Sequence, residues 1–207
     1  MSGVVHDFRD RLQRSFDLSN EPSWVGFYRD IFGPDLLQAI RIDDDSKWQR
    51  WGCDRLLMFK NGNQLMIDEK KRDKDWGDFL CEIWSVGEIV AGMYEGKKVG
   101  WTLDENKRCH YVAYAIVPAK TCHLLPFDLL RLTAKVNLQR WMSRKGAYPK
   151  DAVNKGYLTR NCAVPWDDLW RSIREQSRSE FGSLLELPKP IIGEQGLLVF
   201  EHGEGIS

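Results

Sequence analysis

Arg55-Leu56-Leu57-Met58-Phe59-Lys60-Asn61-Gly62-Asn63-Gln64-Leu65-Met66-Ile67-Asp68-Glu69-Lys70-Lys71 reads as two short strands around a tight turn. Apolar residues dominate both arms, and Asn61-Gly62 supplies the pair that adopts positive φ most readily, so the stretch predicts a β-hairpin. Folding at that turn carries Asp54, which opens the first strand, back alongside Asp68, Glu69, Lys70 and Lys71. Two carboxylates and an ammonium then converge. Side chains two apart share a strand face, so either Asp68 with Lys70 or Glu69 with Lys71 turns toward Asp54. Leu65, Met66 and Ile67 are apolar on both faces and do not choose between the two.

Upstream, Phe8, Leu12 and Phe16, and then Trp24, Phe27, Tyr28 and Ile31, have helical spacing. The first forty residues therefore predict helix, interrupted by Gly33-Pro34 before Leu36, Leu37 and Ile40, with Asp43-Asp44-Asp45 as a solvated loop. Downstream, Trp76, Phe79, Leu80 and Ile83 fall at i, i+3, i+4 and i+7, which predicts a helix continuing toward Val90. Gly92 to Lys107 reads as a polar connection. His110 to Val117 and Thr121 to Leu125 read as strands, and Phe127, Leu130, Leu132, Val136 and Trp141 as a helix after Pro126. A strand over Tyr157 to Val164, a helix from Trp166 to about Arg178 and a short strand within Gly196 to Glu201 complete the pattern. The expectation is one α/β domain over 1–207, a mixed α+β sheet flanked by helices. Its core would span about 22–180, with 181–207 as a C-terminal extension.

The 207 residues are 43% hydrophobic and 29% charged, proportions that bury a core and exclude a disordered or fibrous chain. Thirty basic residues balance thirty acidic ones, so any attraction for nucleic acid must come from a local patch. The longest nearly apolar run, Tyr111 to Ala119, is too short to cross a bilayer, and Asp7, Arg9, Asp10 and Arg11 stand where a signal peptide would be apolar. Five scattered cysteines without a CxxC read as reduced thiols, so a cytoplasmic protein without membrane attachment is expected. Cys109-His110 and Cys122-His123 could supply zinc ligands, but adjacent strand residues point to opposite faces and do not readily chelate one ion. No GxGxxG, Walker loop, GxSxG or HExxH is present.

Just before Asp54, Lys47, Trp48, Arg50 and Trp51 interleave basic and aromatic groups, with Arg55 close by. Such a surface stacks bases and neutralises phosphates, although Trp48 and Trp51, at i and i+3, are equally spaced to pack one helical turn onto a core. Arg72 and Lys74 extend the basic stretch after Lys70-Lys71, and Arg140, Arg144, Lys145 and Lys150 form another. Asp75, Asp78 and Glu82 would make an acidic stripe on the predicted helix, with Glu82 a further candidate for a metal site. A charge run such as Asp68 to Asp75 is also what a solvated strand end carries.

Paired carboxylates beside a lysine are suited to a hard divalent cation and a water aimed at a phosphodiester. An acid at the start of one strand and (D/E)xK on its hairpin partner resembles the PD-(D/E)xK, or restriction-endonuclease-like, nuclease superfamily. The likeness spans Asp54 to Val164, although Cys53 stands where a proline often precedes the first carboxylate. The runs Ile67 to Arg72, Lys74-Asp75, Glu82 to Ser85, Gly100-Trp101, Tyr111 to Tyr114 and Asn154 to Tyr157 are similar to uncharacterised phage-associated members.

That resemblance implies a nuclease dependent on Mg²⁺ or Mn²⁺, acting on DNA or structured nucleic acid, in a host cytoplasm if phage-encoded. Asp54 and Asp68 would hold the metal, with Glu69 and Glu82 as further ligands, and Lys70 would act on the water. Glu69 with Lys71 is the alternate register; the narrower likeness favours Asp68 with Lys70, because it tolerates an apolar residue at Lys71. Lys47, Trp48, Arg50, Trp51, Arg72 and Lys74 would face nucleic acid. The alternative is a catalytically degenerate member of the same fold, an accessory factor that binds nucleic acid or protein without cutting.

Overall fold

The computed structural model describes residues 22–42, 47–119, 121–144 and 149–181, with the pairs 191–192 and 198–199. The stripe of Phe8, Leu12 and Phe16 and the Asp43 to Asp45 loop lie outside them. In chain order the first elements are α1 (Pro22–Phe32), β1 (Leu36–Arg41), α2 (Lys47–Arg50), β2 (Arg55–Phe59), β3 (Gln64–Arg72), β4 (Asp78–Val90) and β5 (Met93–Val99). There follow β6 (Tyr111–Ile116), β7 (Thr121–Pro126), α3 (Phe127–Met142), β8 (Pro149–Asn154), β9 (Tyr157–Pro165), α4 (Trp166–Phe181), β10 (Ile191–Ile192) and β11 (Leu198–Val199). The result is mixed α+β, with a five-stranded and a four-stranded sheet flanked by helices and a two-stranded ribbon of β10 and β11.

The described residues fold into two units, each built from separate stretches of sequence: 22–75 with 108–127 in one, and 76–107 with 128–180 in the other. The first unit carries the sheet β1-β2-β3-β6-β7, in which only β3 and β6 run parallel. The expected hairpin is present. Arg55 pairs with Ile67 and Met58 with Gln64, Gly62 takes φ +83°, and the Asn61 side chain accepts from the Asn63 N–H at 2.9 Å. Positive φ costs glycine little, which is why this turn closes where it does.

On one face of this sheet, Leu57, Ile67, Ala113, Cys122 and Leu124 pack with Trp24 and Tyr28 of α1. Trp24 and Tyr28, four residues apart on the helix, stack with centroids 6.1 Å apart. The other face also contains buried side chains, among them Val112, Tyr114, Leu125 and Asp68. The helical expectation for Trp24 to Ile31 holds, but Leu36–Arg41 is a strand, bonded along β2 after Gly33 turns the chain at φ +58°.

The second unit corrects the sequence reading most. The helix expected from Trp76 toward Val90 is strand β4, paired antiparallel with β5 and β9 in the sheet β5-β4-β9-β8. Phe79, Leu80 and Ile83 fit a helical spacing, but the buried set is Phe79, Cys81 and Ile83, alternating with half-buried Leu80, Glu82 and Trp84. That is the period of a strand. Trp76, needed to complete the helical stripe, is 62% exposed. Met93–Val99 of the supposed connection is the partner strand β5, and any side chain at Gly96 would overlap the Trp84 ring. Pro149–Asn154 forms a further edge strand, β8. Helices α3 and α4 occur as expected and bury Leu130, Ala134, Trp141, Leu169 and Ile173.

Candidate functional site

Strand β3 presents its charged residues alternately to the two faces of the first sheet, and its neighbours sort them. Asp54, immediately before β2, donates its own N–H to the Ile67 carbonyl at 2.9 Å. Its Oδ2 accepts the Glu69 backbone N–H at 2.8 Å. The Asp54 side chain thus takes the place of a main-chain partner where β2 begins. Asp68 is buried, comes within hydrogen-bonding reach of the Asp54 carboxyl, and is ion-paired by the Lys70 ammonium. Asp54, Asp68 and Lys70 therefore meet on one face, the register that the narrower resemblance favours.

The electrostatics of this group are unbalanced. Burial, and then the negative charge of Asp68, raise the Asp54 pKa to about 7, against the opposing pull of Lys70. Lys70 is held above its ordinary value: burial would lower it, but Asp68 and Asp54 outweigh that cost. Lys70 is therefore an ammonium at neutral pH and a hydrogen-bond donor, not a base. Cys53, beside Asp54, has its thiol pushed up to about 11, chiefly by burial, and is not a nucleophile at neutral pH.

Glu69 turns to the opposite face. Its Oε1 accepts from Arg55 Nε at 2.5 Å and from the Tyr28 hydroxyl at 2.9 Å, and its Oε2 accepts from Arg55 Nη2 at 3.2 Å. The Arg55 and Glu69 side chains are only 5% and 3% exposed. Arg55, expected near the basic surface, is instead a buried partner of Glu69. Lys71 falls on the Glu69 face by alternation. Each face thus holds an ion pair, Glu69 with Arg55 on one and Asp68 with Lys70 on the other, and only the second reaches the Asp54 carboxyl with its side chains.

Glu82 is not on a helix following the hairpin but on β4 of the second unit. Its Oε1 accepts from Ser85 Oγ at 2.6 Å and from the Trp101 N–H at 3.2 Å, tying β4 to the loop after β5. Asp78 lies on the same strand, 3.8 Å from Lys150 Nζ.

Of the expected nucleic-acid surface, Lys47, Trp48 and Arg50 make up most of α2 and are exposed, whereas Trp51 is half-buried. Lys47 Nζ sits 4.7 Å from the Trp51 ring centroid, and Trp48 meets Trp51 edge-on at 5.9 Å. Trp48 keeps 43% of its surface in solvent, and its carbonyl accepts the Cys53 N–H, one residue before Asp54. Arg72 ends β3 half-buried and Lys74 is exposed beyond it. In the other basic cluster, Arg144 pairs with Asp168 and Arg140 with Asn137 and Ser172, while Lys145 lies outside the described residues.

Among the described residues no three His, Cys, Asp or Glu side chains converge as a set of metal ligands. The carboxylates of Asp54 and Asp68 do fit a hard cation, which needs one or two of them and keeps several waters. Cys122 belongs to the α1-facing core and His123 to the opposite face, and the His110 Nδ1 accepts the Met66 N–H at 2.9 Å. Sequence reasoning put Tyr28 on the apolar stripe of α1 but missed its bond to Glu69, and it misplaced Arg55. No described helix is long and apolar enough to cross a membrane. The chain matches no family model, no curated protein and no solved structure.

Proposed function

We propose that the protein is a divalent-cation-dependent nuclease with a restriction-endonuclease-like core, cleaving DNA or structured nucleic acid in the cytoplasm. The observation that carries this is the meeting of Asp54, Asp68 and Lys70 on one sheet face, where a buried and a half-buried carboxylate confront one ammonium. The antiparallel β2–β3 hairpin, with the first acid at its mouth and the second on its return strand, supports the fold assignment. The strand β4, where a helix was expected, is the departure from it.

Asp54 and Asp68 would hold Mg²⁺ or Mn²⁺. Such an ion, when bound, supplies positive charge to a phosphoryl oxygen and acidifies a water. The residues of the chain set the remaining chemistry. The Glu69 N–H keeps one oxygen of Asp54 turned toward β3. Lys70, protonated, donates to the attacking water or to a non-bridging phosphate oxygen, stabilising the charge that develops there. Trp48, with Lys47 and Arg50, gives unpaired bases an aromatic face and phosphates a positive charge a few residues before Asp54.

The test is cleavage of linear, branched and single-stranded DNA and of RNA, by wild type and Asp54→Asn, with Mg²⁺, Mn²⁺ or EDTA. Cleavage that needs the metal and disappears in Asp54→Asn is expected; EDTA-resistant cutting would refute it. One observation favours a second reading, the degenerate binding protein: Lys70 already neutralises Asp68. Salt-sensitive nucleic-acid binding without cutting on every substrate would select that reading.

A further inference from the structure

We infer that the buried Tyr28, Glu69 and Arg55 form a positioning clamp that aims the Asp54 carboxylate, so that the candidate site is set only when α1 is seated on the sheet. The inference rests on the reading of Asp54 as a cation ligand only for its functional consequence; the clamp itself is a matter of geometry.

Besides its contact with Asp68, the Asp54 carboxylate is oriented at two points, its own backbone and the Glu69 N–H. Both are fixed by the same group. Arg55 is the residue after Asp54, so its place in β2 sets the Asp54 backbone, while its guanidinium grips both oxygens of Glu69. Holding the Glu69 side chain on one face fixes the peptide plane whose N–H reaches Asp54 Oδ2 on the strand edge, at 2.8 Å. A bidentate guanidinium–carboxylate pair defines direction as well as distance.

Tyr28 supplies the third contact from α1. Its hydroxyl donates to Glu69 Oε1, its ring lies 5.9 Å from the Arg55 guanidinium, and it is fully buried. Burial, and then the charge of Glu69, hold its phenol well above the ordinary value, so it remains a donor at every working pH. The clamp therefore joins three elements, α1, β2 and β3, at the residue whose backbone N–H bonds the Asp54 carboxylate. Tyr28, Arg55 and the Glu69 side chain are positioning residues in this account.

Replacing a buried ion pair by apolar groups of similar size is often neutral for stability, whereas losing one partner is not. The Arg55→Met/Glu69→Leu double variant therefore separates aim from stability, and the Ile116→Ala variant, at a buried position outside the α1-facing core, serves as a control for destabilisation alone. In the full chain one would measure amide exchange at residue 69 by NMR, the thermal midpoint, and Mn²⁺ affinity by calorimetry. In the double variant the residue-69 amide is expected to exchange at least about tenfold faster. Mn²⁺ affinity is expected to fall about 10–100-fold, as for other groups that orient ligands, while the midpoint falls no further than in Ile116→Ala, the buried Tyr28 hydroxyl having lost its acceptor.

Ile116→Ala should lower the midpoint and move neither of the other readouts. If the double variant does not fold, Tyr28→Phe and Glu69→Gln, which keep the volume, should shift the same two readouts in the same direction. A residue-69 amide as protected as in wild type, or Mn²⁺ affinity unchanged once that amide is freed, would overturn the clamp. Wild type that binds no Mn²⁺ would refute the cation reading alone, and amide exchange in the variants would still decide the clamp.

Discussion

The two faces of strand β3 carry similar charges to opposite ends. On the α1 face, one carboxylate meets one guanidinium bidentately and a tyrosine hydroxyl completes its shell, all of it buried. On the other face, two carboxylates approach each other with one ammonium paired to Asp68, and the other, Asp54, is pushed to a pKa of about 7. Charge and hydrogen bonds are matched on the first face and left in excess negative on the second. A matched buried cluster serves structure, because nothing added would improve it. A cluster with surplus negative charge is improved by a cation, and that is the physical reason to place chemistry there.

The contrast is broken most forcefully by cutting the pair on the matched face. Arg55→Met alone leaves Glu69 charged and buried, and should cost about 3–5 kcal/mol in urea unfolding. On the other face, Lys70→Met should act first on function, lowering cleavage about 10²–10³-fold as for loss of one charge-stabilising donor. If Arg55→Met were tolerated while Lys70→Met unfolded the protein, the roles assigned to the two faces would be reversed.

The hairpin that creates this contrast was legible because its turn is local: Asn61-Gly62 and the flanking apolar runs specify it without help from elsewhere. The choice of face was not, since residues on both sides of β3 are buried and alternation had nothing polar to follow. Tyr28 contacts Glu69 across 41 positions, a pairing that no local pattern encodes. In β4 the apolar spacing of Phe79, Leu80 and Ile83 suited either period, and pairing with β5 and β9 decided it. Polar β8 left no apolar alternation to find. That the carboxyl groups of Asp54 and Asp68 and the ammonium of Lys70 lie near one another was readable from the sequence, because hairpin register follows from the turn.

The pH dependence of stability sharpens the comparison next. The Asp54 pKa is raised from 3.8 to about 7, so between these values the folded state binds more protons than the unfolded one. Stability from this group is greatest in acid and is lost as pH rises toward 7. Asp54→Asn should remove that loss and raise the metal-free thermal midpoint at pH 8, while leaving it nearly unchanged at pH 4. A lower midpoint at pH 8 would mean that the second face is as well matched as the first.

A smaller effect comes from His123, which shares a cross-strand row with Tyr114 and Lys70. Burial lowers its pKa from 6.5 to about 4, with Asp75 opposing. Here the sign is reversed: the contribution is whole above about 6.5 and is lost as pH falls toward 4. His123→Gln should flatten the acid side of the stability profile, measured by thermal midpoints over that window. A profile unchanged by the substitution would show the imidazole to be solvated.

The central claim is that Asp54 and Asp68 share one divalent cation on the Lys70 face. Calorimetric titration of Mn²⁺ into the full chain, repeated in buffers of different ionisation enthalpy, counts the protons displaced on binding. The account predicts a single site that releases up to one proton at pH 6, with release fading above pH 8 as Asp54 is already ionised, and no proton release in Asp54→Asn. Binding of equal strength in Asp54→Asn, or binding to wild type at pH 6 without release of a proton, would contradict it.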